Sequence, residues 1–252
     1  MKFSLITVSY NSAKTIHDTV RSVHSQDYKE IEYIIVDGNS TDGTVDFIKS
    51  ATGISKWISE PDNGIYDAMN KGLKMTTGDV VGIINSDDFY YNDSIISSVA
   101  KAFSNDDVDA VFGDLIVVDP LNLKKVVRTY SSKKWHPERF AWGFMPAHPT
   151  FFVRRKFYEQ FGLFKTDYKI AADYEMLIRL LFVNKLRYVY LPTTMVVMRK
   201  GGVSSNGLTS NIILNREILR GCRENGISTN YLKIYSKYFF KFFELINKES
   251  GL

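Results

Sequence analysis

Short apolar runs alternate with longer segments whose hydrophobic residues recur every three or four positions, and this rhythm fills the first hundred residues. Phe3 to Ser9 and Ile31 to Val36 are runs rich in apolar and β-branched residues and bounded by polar turns, which predicts buried strands. Ala13 to Gln26 places Ile16, Val20 and Val23 on one helical face. Thr44 to Ser50 predicts a second helix, Lys56 to Ser59 a brief strand, Ile65 to Met75 a third helix, and Val80 to Ile84 another strand. Strand and helix joined by short links predict βαβ units, hence a parallel sheet covered by helices.

Beyond Asp109 the rhythm changes. Ala110 to Val118 and Leu123 to Tyr130 flank Asp119-Pro120-Leu121-Asn122 and predict a hairpin, followed by a stretch rich in Trp, Pro and His up to Pro149. A helix from Ala172 to Asn184, strands over Leu186 to Leu191 and Thr194 to Arg199, and two final helices complete the chain. No hinge-like composition marks residue 109, so the change divides halves of one domain.

Composition narrows the classes. The 252 residues are near the upper limit for one core, and 44% hydrophobic with 24% charged residues is ordinary for a globular protein. Cys222 is the only cysteine, which excludes an intrachain disulfide and a thiolate metal cluster and fits a reducing compartment. The N-terminal apolar stretch is too short for a signal peptide, and no run of about 18 apolar residues occurs, so the expectation is a soluble, cytoplasmic protein. A net charge of +4 without basic blocks argues against nucleic acid as a partner.

Three polar segments end predicted strands: Thr7-Val8-Ser9-Tyr10-Asn11, Val36-Asp37-Gly38-Asn39-Ser40 and Asn85-Ser86-Asp87-Asp88. Parallel strands point their C-termini to one edge, where open α/β sheets bind ligands. Adjacent carboxylates repel, and a site that collects them usually holds a cation or a donor-rich ligand. The competing reading is that Asp87 and Asp88 cap the helix carrying Ile95, Ile96 and Val99. Neither G-x-G-x-x-G nor G-x-x-x-x-G-K-[ST] follows the first strand, so dinucleotide dehydrogenases and P-loop NTPases lose their main support.

These three segments, together with Thr41-Asp42-Gly43-Thr44 and Glu60-Pro61-Asp62-Asn63-Gly64-Ile65-Tyr66-Asp67-Ala68-Met69-Asn70-Lys71-Gly72, resemble family 2 inverting glycosyltransferases. The resemblance covers the first 100 residues strongly and extends more loosely to Ser205. Within the family it is most similar to bacterial enzymes of exopolysaccharide, colanic-acid or O-antigen assembly. It implies the α/β GT-A fold, a Rossmann-like mixed sheet flanked by helices, here with C-terminal helices. Residues 1–228 would form one catalytic domain, with 1–108 binding the nucleotide sugar and 109–228 the acceptor, ahead of an amphipathic helix over 229–252.

The resemblance also implies site residues. Thr7, Ser9 and Asn11 would line the nucleotide pocket, Asp37 would contact the base of a UDP-sugar, and the loop from Asp62 to Gly64 would border that base. The family's Asp-X-Asp falls on Asn85-Ser86-Asp87, with Asn in place of the first acid; Asn85 would bond sugar hydroxyls and Asp87 would bind manganese or magnesium. A Glu-Asp segment falls on Ala172-Asp173, so Asp173 alone would be the base that deprotonates the acceptor hydroxyl. Without the resemblance, Asp173 and Glu175 read equally as an N-cap and an acid in the first helical turn.

Three further segments keep two readings. His148, between Ala147 and Pro149, resembles a family segment beside the acceptor or sugar, and it also fits a satisfied structural donor. The basic, Gly-rich loop from Arg199 through Ser204 to Ser205 suits a diphosphate, and it also fits a plain surface loop. In the last segment Lys233, Lys237 and Lys241 are spaced by four, with aromatics on the other faces, which suits a membrane interface or a helix packed on its own domain. The functional expectation is a hexosyl- or N-acetylhexosaminyltransferase acting on a lipid-linked saccharide acceptor at the inner face of the cell membrane. The rivals are an inactive sugar-nucleotide-binding protein and a nucleotidyltransferase.

Overall fold

The computed structural model describes residues 1–201 and 207–238. Strands β1 (Phe3–Ser9), β2 (Ile31–Asp37), β3 (Lys56–Ser59) and β4 (Val80–Ile83) lie parallel in the order β3-β2-β1-β4. Helices α1 (Ile16–His24), α2 (Thr44–Ser50) and α3 (Ile65–Met75) make the crossovers. Side chains alternate across the sheet. Phe3, Leu5, Tyr33 and Ile35 pack with Ile16 and Val20 of α1 on one face, while Ile6, Val8, Ile34 and Val36 meet Met69 and Leu73 of α3 on the other. Because both faces are covered, the strands read as nearly continuous apolar runs.

The second half extends the same sheet with strands of both directions. It contains β5 (Phe89–Tyr90), α4 (Ile95–Phe103), β6 (Ala110–Asp119), β7 (Asn122–Tyr130), β8 (Phe152–Arg154), α5 (Lys156–Phe161), α6 (Ala172–Leu177), β9 (Tyr188–Arg199) and α7 (Gly207–Glu224). β8 lies antiparallel between β4 and β6, β6 is parallel to β9, and β5 is antiparallel to β9. Among the described residues this makes one mixed sheet of nine strands, ordered β3-β2-β1-β4-β8-β6-β9-β5, with β7 paired to β6.

Several expectations change. The two strands predicted on either side of Pro192 are one strand, β9. Its pairing with β6 jumps from Tyr190 opposite Phe112 to Thr194 opposite Asp114, so the residues around Pro192, which has no N–H to donate, bulge past Gly113. A side chain at Gly113 would meet Met195 Sδ at 2.5 Å, which is why the bulge sits opposite a glycine. The helix predicted over Ala172 to Asn184 is α6 followed by a π-helical segment, Ile178–Val183, and β5 and α5 were not foreseen. Residues 231–238 are helical, with Ile234 buried in the core and Lys237 only 3% exposed, so Lys237 is turned inward rather than along an outer basic stripe. Tyr231, Leu232 and Tyr235 occupy the exposed side, while Lys241 lies outside the described residues.

Candidate active site

The parallel strands set the first part of the site by register. Ser9, Asp37 and Ser59 stand side by side at the C-terminal ends of β1, β2 and β3. Ser9 Oγ donates to Asp37 Oδ1 at 3.0 Å, and Ser59 Oγ donates to Oδ2 at 2.8 Å. Ser40 adds its N–H at 2.9 Å and its hydroxyl at 2.5 Å. Asp37 is thus a fully buried side chain with two donors on each oxygen.

Asn11, in the left-handed region at φ 49°, links the first two loops: its N–H donates to Ser40 Oγ at 2.8 Å and its Oδ1 accepts from Thr41 N–H at 3.0 Å. Asp62 accepts from the N–H of Gly64, whose φ of 106° opens α3, at 2.8 Å. Asp62 also packs over Gly38, where a Cβ would fall 2.4 Å from its Oδ2 and 3.4 Å from the Tyr10 ring. Tyr10 is 68% exposed beside this loop, an aromatic surface that the sequence reading quoted in its motif without giving it a role. Thr7 does not reach the pocket. It shares the β1 face of Phe3 and Leu5, is fully buried, and its Oγ1 accepts from Tyr33 OH at 2.9 Å.

The acidic turn follows β4. Ser86 shares a 2.7 Å hydroxyl hydrogen bond with Ser12, tying the turn to the first loop. Thr19 of α1 donates to the Asp88 carbonyl at 2.6 Å. Burial raises the pKa of Asp87, and for the fully buried Asp88 burial and then the neighbouring Asp87 charge raise it well above the usual carboxylate range. Asn85 Oδ1 and Asp88 Oδ1 are buried without a hydrogen-bond partner, an expensive arrangement that a ligand or cation at this turn would relieve. Among the described residues, no group of three His, Cys, Asp or Glu side chains could hold a metal by itself. An ion held at this turn would need further ligands from elsewhere, as magnesium does when bound by one or two carboxylates and substrate phosphates.

Arg199, expected to wrap a diphosphate, is committed elsewhere. Its guanidinium donates to the Asp87 carbonyl at 2.5 Å, pairs with Asp18 of α1 and lies 5.2 Å over the Phe89 ring. It braces the acidic turn from behind, and only 8% of it is exposed. Ser204 lies outside the described residues.

The second half brings Asp173 to the same edge. Asp173 stands near the start of α6, its Oδ1 accepting from Tyr174 N–H at 2.8 Å and its Oδ2 lying 3.1 Å from His148 Nδ1. Tyr66 OH, from α3, lies 3.4 Å from Asp173 Oδ1 and donates to the Ile170 carbonyl at 2.5 Å. Burial, reinforced by the Asp173 charge, raises the pKa of Tyr66, which keeps it a donor at neutral pH. Asp173, His148 and Asn85 are polar members of one pocket, otherwise walled by apolar groups such as Ile83, Met69 and Phe164. Residues 85, 148 and 173, distant in sequence, therefore share one cavity, as expected for a site built between two halves.

Sequence reasoning missed Tyr66 and Glu217. Tyr66 lies inside a quoted motif, but only the tertiary structure shows it beside Asp173. Glu217, on α7, accepts backbone N–H groups from Lys169, Ile170 and Ala171. It carries no motif that could have revealed it.

A model of glycosyl transferase family 2 matches residues 4–162. An uncharacterised glycosyltransferase of Mycobacterium tuberculosis is 30% identical over 189 residues, covering 70% of this chain and 67% of the relative. A PGL/p-HBAD biosynthesis glycosyltransferase of Mycobacterium bovis is 26% identical over 223 residues, covering 86% of this chain and 82% of the relative. Among solved structures, residues 1–349 of Staphylococcus aureus TarS in complex with UDP-GlcNAc superpose with a TM-score of 0.69 at 21% identity, covering 90% of this chain and 68% of that one. Against the longer TarS structure, the match spans 41% of that chain. The mannosyltransferase PcManGT of Pyrobaculum calidifontis, in complex with GDP-Man and Mn2+, superposes with a TM-score of 0.65 at 22% identity, covering 88% of this chain and 63% of that one. With the matched region spanning more than half of the sequence, and with the mixed sheet and strand-end acids described above, the chain belongs to glycosyl transferase family 2 and is a glycosyltransferase with the GT-A fold.

Proposed function

We propose that the protein is an inverting transferase that moves a sugar from a UDP-sugar to a lipid-linked saccharide acceptor in bacterial surface-polysaccharide synthesis. The observation that carries this reading is the shared pocket of Asn85, His148 and Asp173, which sets the Asp173 carboxyl beside the acidic turn that follows β4. In the proposed complex the base lies against Tyr10 above Gly38, and Asp37 meets it through its serine shell or by giving up one hydroxyl partner. Asn85 bonds the sugar hydroxyls. Asp87 would hold a manganese or magnesium ion, whose charge would stabilise the departing diphosphate.

Asp173 takes the proton from the acceptor hydroxyl as that oxygen attacks the anomeric carbon from the face opposite the diphosphate. The new C–O bond forms as the bond to the diphosphate oxygen breaks, and UDP leaves with the bonding electrons. His148 and Tyr66 keep the carboxylate aimed at the pocket, so little reorganisation is needed in the transition state.

The lipid-linked acceptor is supported by the PGL/p-HBAD biosynthesis relative and by the exposed Tyr231, Leu232 and Tyr235 on the last described helix, which suit a membrane interface. No helix among the described residues is long and apolar enough to cross a membrane. Incubation with a panel of UDP-sugars, with and without manganese, tests the donor. Slow UDP release supports the proposal. Formation of UTP when pyrophosphate is added would indicate nucleotidyl transfer, and binding without turnover a protein that has lost catalysis.

A further inference from the structure

We propose that Glu217 is a positioning residue for catalysis: from α7 it fixes the backbone that leads into α6 and presents Asp173. The inference rests on the reading of Asp173 as the base and names what holds that base in place.

A helix start leaves N–H groups without intrahelical partners, and Ser, Thr, Asp or Asn at the N-cap usually satisfies some of them. α6 begins instead from Ala171, which makes no side-chain cap, with the buried Ala172 as its first residue. The backbone leading into the helix is held from a distance. Glu217 Oε1 accepts from Lys169 N–H at 2.7 Å, and Oε2 accepts from Ile170 and Ala171 N–H, both at 2.9 Å. On the other side of the same stretch, Tyr66 OH donates to the Ile170 carbonyl. Residue 170 is thereby gripped by both of its backbone polar groups, from α7 and from α3.

Asp173 follows two residues after this clamp. Its own contacts are a neighbouring N–H, His148 and the longer Tyr66 approach, and two of these three come from other elements. A shift of the 169–171 backbone would carry Asp173 away from His148. Charge-assisted bonds to an ionised carboxylate are stronger than neutral ones, so one Glu accepting three N–H groups restrains the segment far better than solvent would. A misplacement of about 1 Å can cost on the order of 100-fold in rate.

The test compares Glu217→Ala, Glu217→Gln and Asp173→Asn by UDP release from UDP-N-acetylglucosamine or UDP-glucose, whichever the wild type turns over faster. Melting temperatures are recorded alongside. Glu217→Ala is expected to lower kcat by about 10- to 100-fold with little change in donor KM. Glu217→Gln keeps one carbonyl oxygen for Ile170 and Ala171 and gives up the exposed bond to Lys169, so it is expected to recover most of kcat. Unchanged kcat in Glu217→Ala, while Asp173→Asn is inactive, overturns the positioning role and leaves the base assignment intact. Activity retained by Asp173→Asn removes the base assignment itself. Joint loss of kcat, KM and melting temperature in Glu217→Ala, without recovery in Glu217→Gln, also overturns the proposal, because the residue then supports the fold as a whole.

Discussion

The acid at the end of β2 and the acid at the start of α6 are held in opposite ways. Asp37 is enclosed by Ser9, Ser40 and Ser59, so strand register together with the loop that follows β2 supplies its partners. Asp173 depends on His148, Tyr66 and a backbone clamped by Glu217, which come from a 3₁₀ turn, α3 and α7. The proposed donor side is therefore built locally along the sheet edge, whereas the surroundings of the proposed base, Asp173, are assembled by tertiary packing. Substitutions should separate nucleotide binding from turnover along that line.

The largest effect expected is at Asp173. Asp173→Asn keeps the size of the side chain but cannot accept the acceptor proton, so turnover should fall more than about 100-fold while UDP affinity by calorimetry stays within a few-fold. More than a tenth of wild-type activity would break the division of labour. At the acidic turn the opposite pattern is expected: Asp87→Ala should weaken UDP binding in manganese by roughly tenfold, ~1.4 kcal/mol. Equal UDP affinity for wild type and Asp87→Ala, each with and without manganese, would remove the metal role.

Gly38→Ala probes the donor edge by shape. The added Cβ would lie 2.4 Å from Asp62 Oδ2, so that loop must move, and a loss of a few-fold in UDP affinity with a nearly unchanged melting temperature is expected. An unchanged affinity would place the base elsewhere.

The smallest expected effect is acid sensitivity of the clamp region. Burial pushes the Glu224 carboxyl up, but hydrogen bonds from Lys165, Arg220 and Tyr168 outweigh this and bring it down to about 2. A depressed folded-state pKa gives stability that is present above the unfolded value, near 4.5, and lost as the pH falls towards 2. Solvent screening of this part-exposed cluster leaves its contribution on the order of 1 kcal/mol. Amide exchange in the part of α7 that Glu224 anchors should therefore speed up as the pH falls below about 4. Glu224→Gln should flatten that acid response, and an α7 exchange profile against pH left unchanged by the substitution would contradict it.

The same contrast decides what the sequence discloses. β2, α2, β3 and α3 are legible to within a residue because covered parallel strands and amphipathic helices leave unbroken periodic signals. Asp37, Asn85 and Asp87 stand out as candidates because they follow or end such strands. The two-residue β5 carries no periodicity of its own, and β9 is interrupted on paper by Pro192, which the structure absorbs as a bulge. Thr7 and Arg199 carry the right chemistry, but alternation along β1 and the ion pair with Asp18 turn both inward. Glu217 lies 44 residues beyond Asp173 by position, 217 less 173, and only the packing of α7 against α6 gives it a role.

The measurement that tests the central claim most directly is the stereochemistry of transfer. With an α-linked UDP-sugar from the panel, slow hydrolysis followed by proton NMR before mutarotation reports the anomer first released. Single displacement assisted by Asp173 predicts that the β-anomer appears first. The α-anomer as first product would contradict inversion and with it the assignment of Asp173 as a base for direct attack.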